Sequence, residues 1–196
     1  MVKVPVVPGM SRNEIEMTAT SLLRKLQPEA LKGENAVDIE EIFEFYIPDR
    51  YDIETEYTDL SFLGPDVLGY TDADKKISCI DKTLSDSDDL AVERRFRSTV
   101  GHEIGHCIYH VSIMRAFKSS SIRGEGKLYR ANRFELRAFE DPEWQAWEFS
   151  RACLMPRNLI LTFLEKGFSL WEMADHFNVN PAFMEVRLKT LKIKPS

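Results

Sequence analysis

Between Ala91 and Val111 an apolar residue returns every four positions: Val92, Phe96, Val100, Ile104 and Ile108. A stripe with this spacing predicts a long helix that buries one face, around which the rest of the chain has to pack. The same stretch reads His102-Glu103-Ile104-Gly105-His106. Residues four apart stand on one face of a helix, one turn apart, so His102 and His106 project together. The apolar stripe turns elsewhere and leaves that face free to line a cleft.

Two imidazoles so placed can bind one tetrahedral zinc ion. Glu103 is offset from His102 by about 100° of helical rotation, beside the metal rather than on it. There it can take a proton from the water that the metal activates and hand it to a leaving amine. With four histidines in 196 residues, chance supplies such a pattern in roughly one chain in a hundred. The alternative is a pair of ordinary core or surface histidines. Gly105 costs about 1 kcal/mol of helix stability relative to Ala, which a close-packed neighbour or the metal site would explain. Zinc in a catalytic site takes three protein ligands and keeps a fourth position open. Position 112 is Ser112, which excludes a third histidine at metzincin spacing. His110 lies too far along the helix to reach the same ion easily and reads as a residue that orients a ligand from behind or lies on the surface. A carboxylate on another helix remains, with Glu140, Asp141, Glu143 and Glu148 as candidates. Glu143 falls in the first turn of a predicted helix, and Ala146 one turn later leaves room to pack against the histidine helix.

Helices are predicted over Asn13–Leu26 and Val37–Phe45, the second capped by Asp38 and ended by Pro48. Tyr51–Asp81, with its glycines and Pro65, predicts a small sheet that includes a strand at Lys76–Ile80. Residues 1–10 read as a loose arm, Asp81–Asp89 and Lys118–Gly126 as loops, and Leu128–Phe139 as an irregular hairpin. Asp141 caps a helix with Pro142 at its first position, running to Met155 and stopped by Pro156. Leu159–Leu164 and Ser169–Leu191 supply short helices.

A net charge of -6 argues against nucleic acid as the main partner. Cys79, Cys107 and Cys153 are sparse and odd in number, as expected of reduced thiols in a cytoplasmic protein. The first ten residues lack a signal peptide's apolar core, and no run reaches the ~18 apolar residues of a membrane span.

Arg97-x-Thr99 before the His102–His106 motif, then Glu143-Trp144-Gln145-Ala146-Trp147-Glu148-Phe149 running into Leu154-Met155-Pro156, resembles the ImmA/IrrE family of zinc metallopeptidases. The resemblance covers most of the chain, including Met173-Ala174, Phe177, Val179 and Arg187-Leu188 near its end. It implies His102, His106 and Glu143 as zinc ligands and Glu103 as general base and acid. It also implies limited cleavage of a protein substrate, often a helix-turn-helix transcriptional repressor, in bacteria or their mobile elements. Trp147 stands where the family has Asn or Asp, Ser98 where it has Phe and Ser150 where it has Ala, and the gap from His106 to Glu143 is long. These departures bear on efficiency and specificity more than on metal binding.

Other features have plainer readings. Cys107 is a core thiol or a redox-sensitive one. Cys79 is a core residue on a strand which, if it were a sheet edge near the cleft, could accept a peptide as an extra strand. Asp86, Asp88 and Asp89 lack the glycine and distal Glu of a calcium loop. Ser169–Leu191 resembles a helix-turn-helix, with Lys189, Lys192 and Lys194 near it, but packing or partner docking fits this acidic chain better than DNA reading. Arg130, Arg133 and Arg137 bind an acidic partner or are solvated. Tyr109, His110 and Tyr129 are the candidates for stabilising an oxyanion. The sequence therefore predicts an α+β, zincin-like metalloprotease domain over 1–160, its small sheet packed on the active-site helix, and a helical, helix-turn-helix-like part over 161–196. A catalytically weak regulator that docks to a repressor or other partner is the alternative.

Overall fold

The computed structural model describes residues 3–122, 130–132 and 136–193. The chain opens with strand β1 (Lys3–Pro5), then helix α1 (Arg12–Leu26), where Ser11 and Glu14 form a capping box. Asp38 caps α2 (Ile39–Glu41), which runs through a π turn (Ile42–Tyr46) into α3 (Ile47–Tyr51). Pro48 therefore does not end this helix. Proline removes a backbone donor and crowds the carbonyl four residues back, and the wider π turn just before it makes the room. Ile39, Ile42 and Phe43 are fully buried.

The sheet follows: β2 (Glu54–Thr58), β3 (Gly69–Asp72) and β4 (Ile77–Asp81). Its order is β2-β4-β3, with β2 parallel and β3 antiparallel to β4. The strand of Cys79 is thus the central one, not an edge, and Ser78 to Asp81 are all buried. Within the acidic stretch Lys82–Ser85 forms α4, not a loop, capped by Asp81. Asp89 caps α5 (Leu90–Tyr109), accepting from the amides of Ala91 and Val92. Phe96, Val100 and Ile104 are buried in the core, with Val92 and Ile108 packed against it.

After a break at His110, α6 spans Val111–Ile122. Lys118–Ile122, expected as loop, is therefore helical, and 123–126 lie outside the described residues. Serine is a weak helix former, but tertiary anchors outweigh it. Arg115 donates to the carbonyls of Ala73 and Asp74, and Lys118 pairs with Asp74 at 2.6 Å. Of the predicted hairpin, 128–129 and 133–135 lie outside the described residues. Its strand β5 (Arg130–Asn132) pairs antiparallel with β1, so the N-terminal arm is not loose. Val7 is buried, and the Met10 amide donates to the Phe139 carbonyl.

Asp141 caps α7 (Pro142–Leu154), followed by α8 (Arg157–Glu165), α9 (Leu170–His176) and α10 (Pro181–Thr190). The last two helices join the same core. Arg97 donates to the Asn178 carbonyl at 3.0 Å and the Val37 carbonyl at 2.7 Å, and buried Arg187 makes a two-pronged pair with Glu16. Among the described residues no helix is long and apolar enough to cross a membrane.

Candidate metal centre

The site exists because α5 and α7 touch backbone to backbone. A Cβ on Gly105 would lie 2.8 Å from the Ala146 Cα, and one on Gly101 would lie 2.6 Å from the Ser150 Oγ. Two small-residue contacts one turn apart on each helix fix their spacing. Glu143, one turn before Ala146, is thereby brought over the histidine face. Ser150 also donates to the Ser98 carbonyl at 2.9 Å, reinforcing the contact.

His102 Nε2 lies 3.3 Å and His106 Nε2 3.4 Å from the two oxygens of Glu143, and the two imidazole nitrogens are 3.0 Å apart. One ligand atom from each residue falls within 4.8 Å of the others, the one such group among the described residues. Two imidazoles and a carboxylate suit a divalent metal, zinc among them. The Glu143 side chain is 35% exposed, so the site opens to solvent on that side. Burial works against the Glu143 carboxylate, but hydrogen bonds from His102 and His106 hold it well below the usual range. Burial likewise opposes charge on His106, and Glu143 with Glu103 more than offsets it, raising its value.

Glu103 is 4% exposed and does not join the cluster. Its Oε2 accepts from the Thr71 hydroxyl at 2.6 Å, and Thr71 in turn meets Ser78 at 2.9 Å. A Cβ on Gly69 would strike the Glu103 Oε1 at 2.5 Å, so only glycine lets β3 come this close. The base candidate therefore stands between the metal-ligand face and an edge strand. Of the other carboxylates weighed, Glu140 accepts from the Arg137 amide, Asp141 caps α7, and Glu148 is buried between Arg151 and Arg12.

The two histidines are supported differently. His106 Nδ1 meets His110 Nδ1 at 2.9 Å, and His110 Nε2 meets Gln145 Oε1 at 3.0 Å. His110, buried and beside His106, is pushed down to about 4. Both of its ring nitrogens are engaged, so it supports His106 and has no nitrogen free for an oxyanion. His102 instead lies under Trp147, ring centroids 4.2 Å apart, and its Nδ1 has no partner among the described residues. Trp147 meets Phe183 of α10 edge-on. Gln145, Thr71 and Gly69 carry no signal in the sequence, because each matters only through a contact made across the fold.

Tyr109 is buried edge-on to Phe149, and Tyr129 and Arg133 lie outside the described residues. Burial pushes Cys107, Cys79 and Cys153 up to about 12, which leaves three protonated, unreactive thiols. Asp86 and Asp88 are exposed, and Lys189 pairs with Glu185 on the surface of α10.

A buried helix carrying two histidines, crossed by a second helix that supplies a carboxylate, is compatible with the metal site of a metallopeptidase-like domain. Residues 86–189 match the peptidase M78 family, described as the IrrE N-terminal-like domain. The match spans more than half of the chain, which belongs to that family. Comparison with curated proteins gives no match.

Proposed function

We propose that this protein is a zinc-dependent endopeptidase of the gluzincin-like, HExxH type on a zincin-like fold. Its reaction is a limited cut in a protein substrate, a helix-turn-helix transcriptional repressor in the cytoplasm. The observation that carries the reading is the convergence of His102, His106 and Glu143, with Glu103 next to them in sequence and anchored against β3.

His102, His106 and Glu143 would hold the ion. Bound zinc supplies a Lewis acid that brings the pKa of water from 15.7 toward about 7. Glu103 holds and moves the proton between attacking water and leaving amine, and Thr71 fixes its carboxylate through Oε2. β3 is an edge of the sheet among the described residues, and a substrate strand added to it would pass Glu103. Residues 161–196 act as a helical subdomain that backs the site through Phe183 and Trp147, without direct nucleic-acid binding. One observation favours the weaker alternative, a zinc-fold regulator that docks to a repressor: Trp147 covers His102 and offers its Nδ1 no acceptor.

The test compares wild type with Glu103→Gln for bound zinc and for cleavage of a candidate repressor. Equal, stoichiometric zinc with cleavage reduced about 10²–10⁴-fold in the variant is the expected result. Zinc without cleavage of any repressor tried favours docking, and absence of zinc from wild type removes the site.

A further inference from the structure

We infer that Gln145 and His110 are positioning residues that preset the tautomer of His106, in a relay anchored on two backbone carbonyls. The inference rests on the metal-centre reading above.

The relay starts at the end far from the metal site. The Gln145 side-chain nitrogen reaches the carbonyl of Pro8 at 2.9 Å and that of Phe139 at 2.8 Å. Carbonyls only accept, so the amide NH₂ must face them and both its hydrogens are used. The amide oxygen then faces His110 Nε2, at 3.0 Å. An oxygen there demands a donor, so His110 carries its hydrogen on Nε2. His110 is 1% exposed, and burial favours the neutral ring, which has a single N–H. Its Nδ1 is therefore a lone pair, 2.9 Å from His106 Nδ1. His106 must donate at Nδ1, which leaves its Nε2, facing His102 and Glu143, as the nitrogen open to a metal. That is the form a metal ligand needs.

Each link leaves one choice to the next, and none requires the metal. Two carbonyls, one in the N-terminal arm and one just before α7, thus decide which nitrogen of His106 is left for the metal. His102 has no such relay, since its Nδ1 has no partner among the described residues. Facing the Glu143 carboxylate at 3.3 Å, its Nε2 carries the hydrogen in the metal-free protein, and a bound metal must displace it.

The tautomers can be read directly from long-range ¹⁵N–¹H spectra of the full chain, metal-free and zinc-loaded. The expected pattern is His110 protonated on Nε2 and His106 on Nδ1 in both states, with His102 carrying its hydrogen on Nε2 without metal and on Nδ1 once zinc is added. His110 protonated on Nδ1, or cationic at neutral pH, overturns the relay. Zinc affinity by chelator competition gives the second readout. His110→Leu and Gln145→Leu should each weaken it about 10–100-fold, and the double variant no further than the weaker single. His110→Asn keeps an acceptor near the Nδ1 position and should recover most of the loss. A folded His110→Leu protein within twofold of wild type also overturns the inference. Wild type that binds no zinc counts against the metal centre itself, while the metal-free spectrum still decides the relay.

Discussion

His110 is charged in the unfolded chain at a pH where the folded protein keeps it neutral. Its ordinary value of 6.5 falls to about 4 in the fold, through burial and the adjacent His106. Between those values the unfolded chain binds more protons, so the metal-free protein loses stability as pH drops through this window. From pH 7 to pH 5 the His110 contribution amounts to about 2 kcal/mol. His106 works in the opposite sense: its raised value stabilises the fold at acid pH and loses that effect as pH climbs above 6.5. Urea unfolding at the two pH values should therefore show a larger acid loss in wild type than in His110→Asn, which lacks the buried imidazole. Trp147 makes a second residue-level case. It leaves His102 Nδ1 without an acceptor, so Trp147→Asn should tighten zinc about tenfold in a chelator competition, and an unchanged affinity would count against that account. At this scale the sequence showed the donors and not their supports. His102, Glu103 and His106 are legible because a helix fixes their spacing locally, whereas spacing leaves Glu143 one of four candidate carboxylates and only the resemblance to the ImmA/IrrE family singles it out. Gln145, Thr71 and Gly69 act through residues far along the chain, and local spacing says nothing of them.

Between elements, the decisive contact is α5 on α7. Gly105→Ala raises intrinsic helix propensity by about 1 kcal/mol, yet its Cβ would sit 2.8 Å from the Ala146 Cα. Backbone cannot yield as a side-chain tip can, so the helices must part, at a cost of about 1–3 kcal/mol. Thermal melting of the metal-free variant should fall below wild type, and zinc affinity should fall with it because Glu143 moves off the histidines. A variant that melts higher with unchanged affinity would show the close approach to be dispensable. Elements with their own periodicity were readable, as α1, α5 and α7 show within a residue or two. Those that depend on a distant partner were not. Ser119 to Ser121 are helical in a helix that Asp74 anchors through Arg115 and Lys118, and Lys3–Pro5 is a strand because Arg130–Asn132 lies beside it. Pro48 misled for a different reason, since a π turn absorbs what a regular helix could not.

Across the whole molecule, buried cations tie the last two helices to the first half of the chain. Arg187 is fully buried, paired with Glu16 of α1 and donating to the Met155 carbonyl where α7 ends. Arg97 reaches from α5 to the turn between α9 and α10, and Arg94 pairs with Asp175 at 2.6 Å. Removing one partner of such a buried pair leaves an uncompensated charge and costs about 3–5 kcal/mol. Glu16→Ala should accordingly lower the melting temperature by roughly 10 °C, although Glu16 lies far from the metal-ligand set in sequence. The form of the transition is as informative as its midpoint. If residues 161–196 fold only against the rest, circular dichroism and tryptophan fluorescence should report one coincident transition in wild type and in Glu16→Ala. Trp147 sits at the metal centre and meets Phe183, so an early, separate loss of α9 and α10 would reach its fluorescence first. Two resolved transitions would mean that the C-terminal helices are an independent unit, and that the aromatic contact behind His102 can be made and broken without unfolding the site.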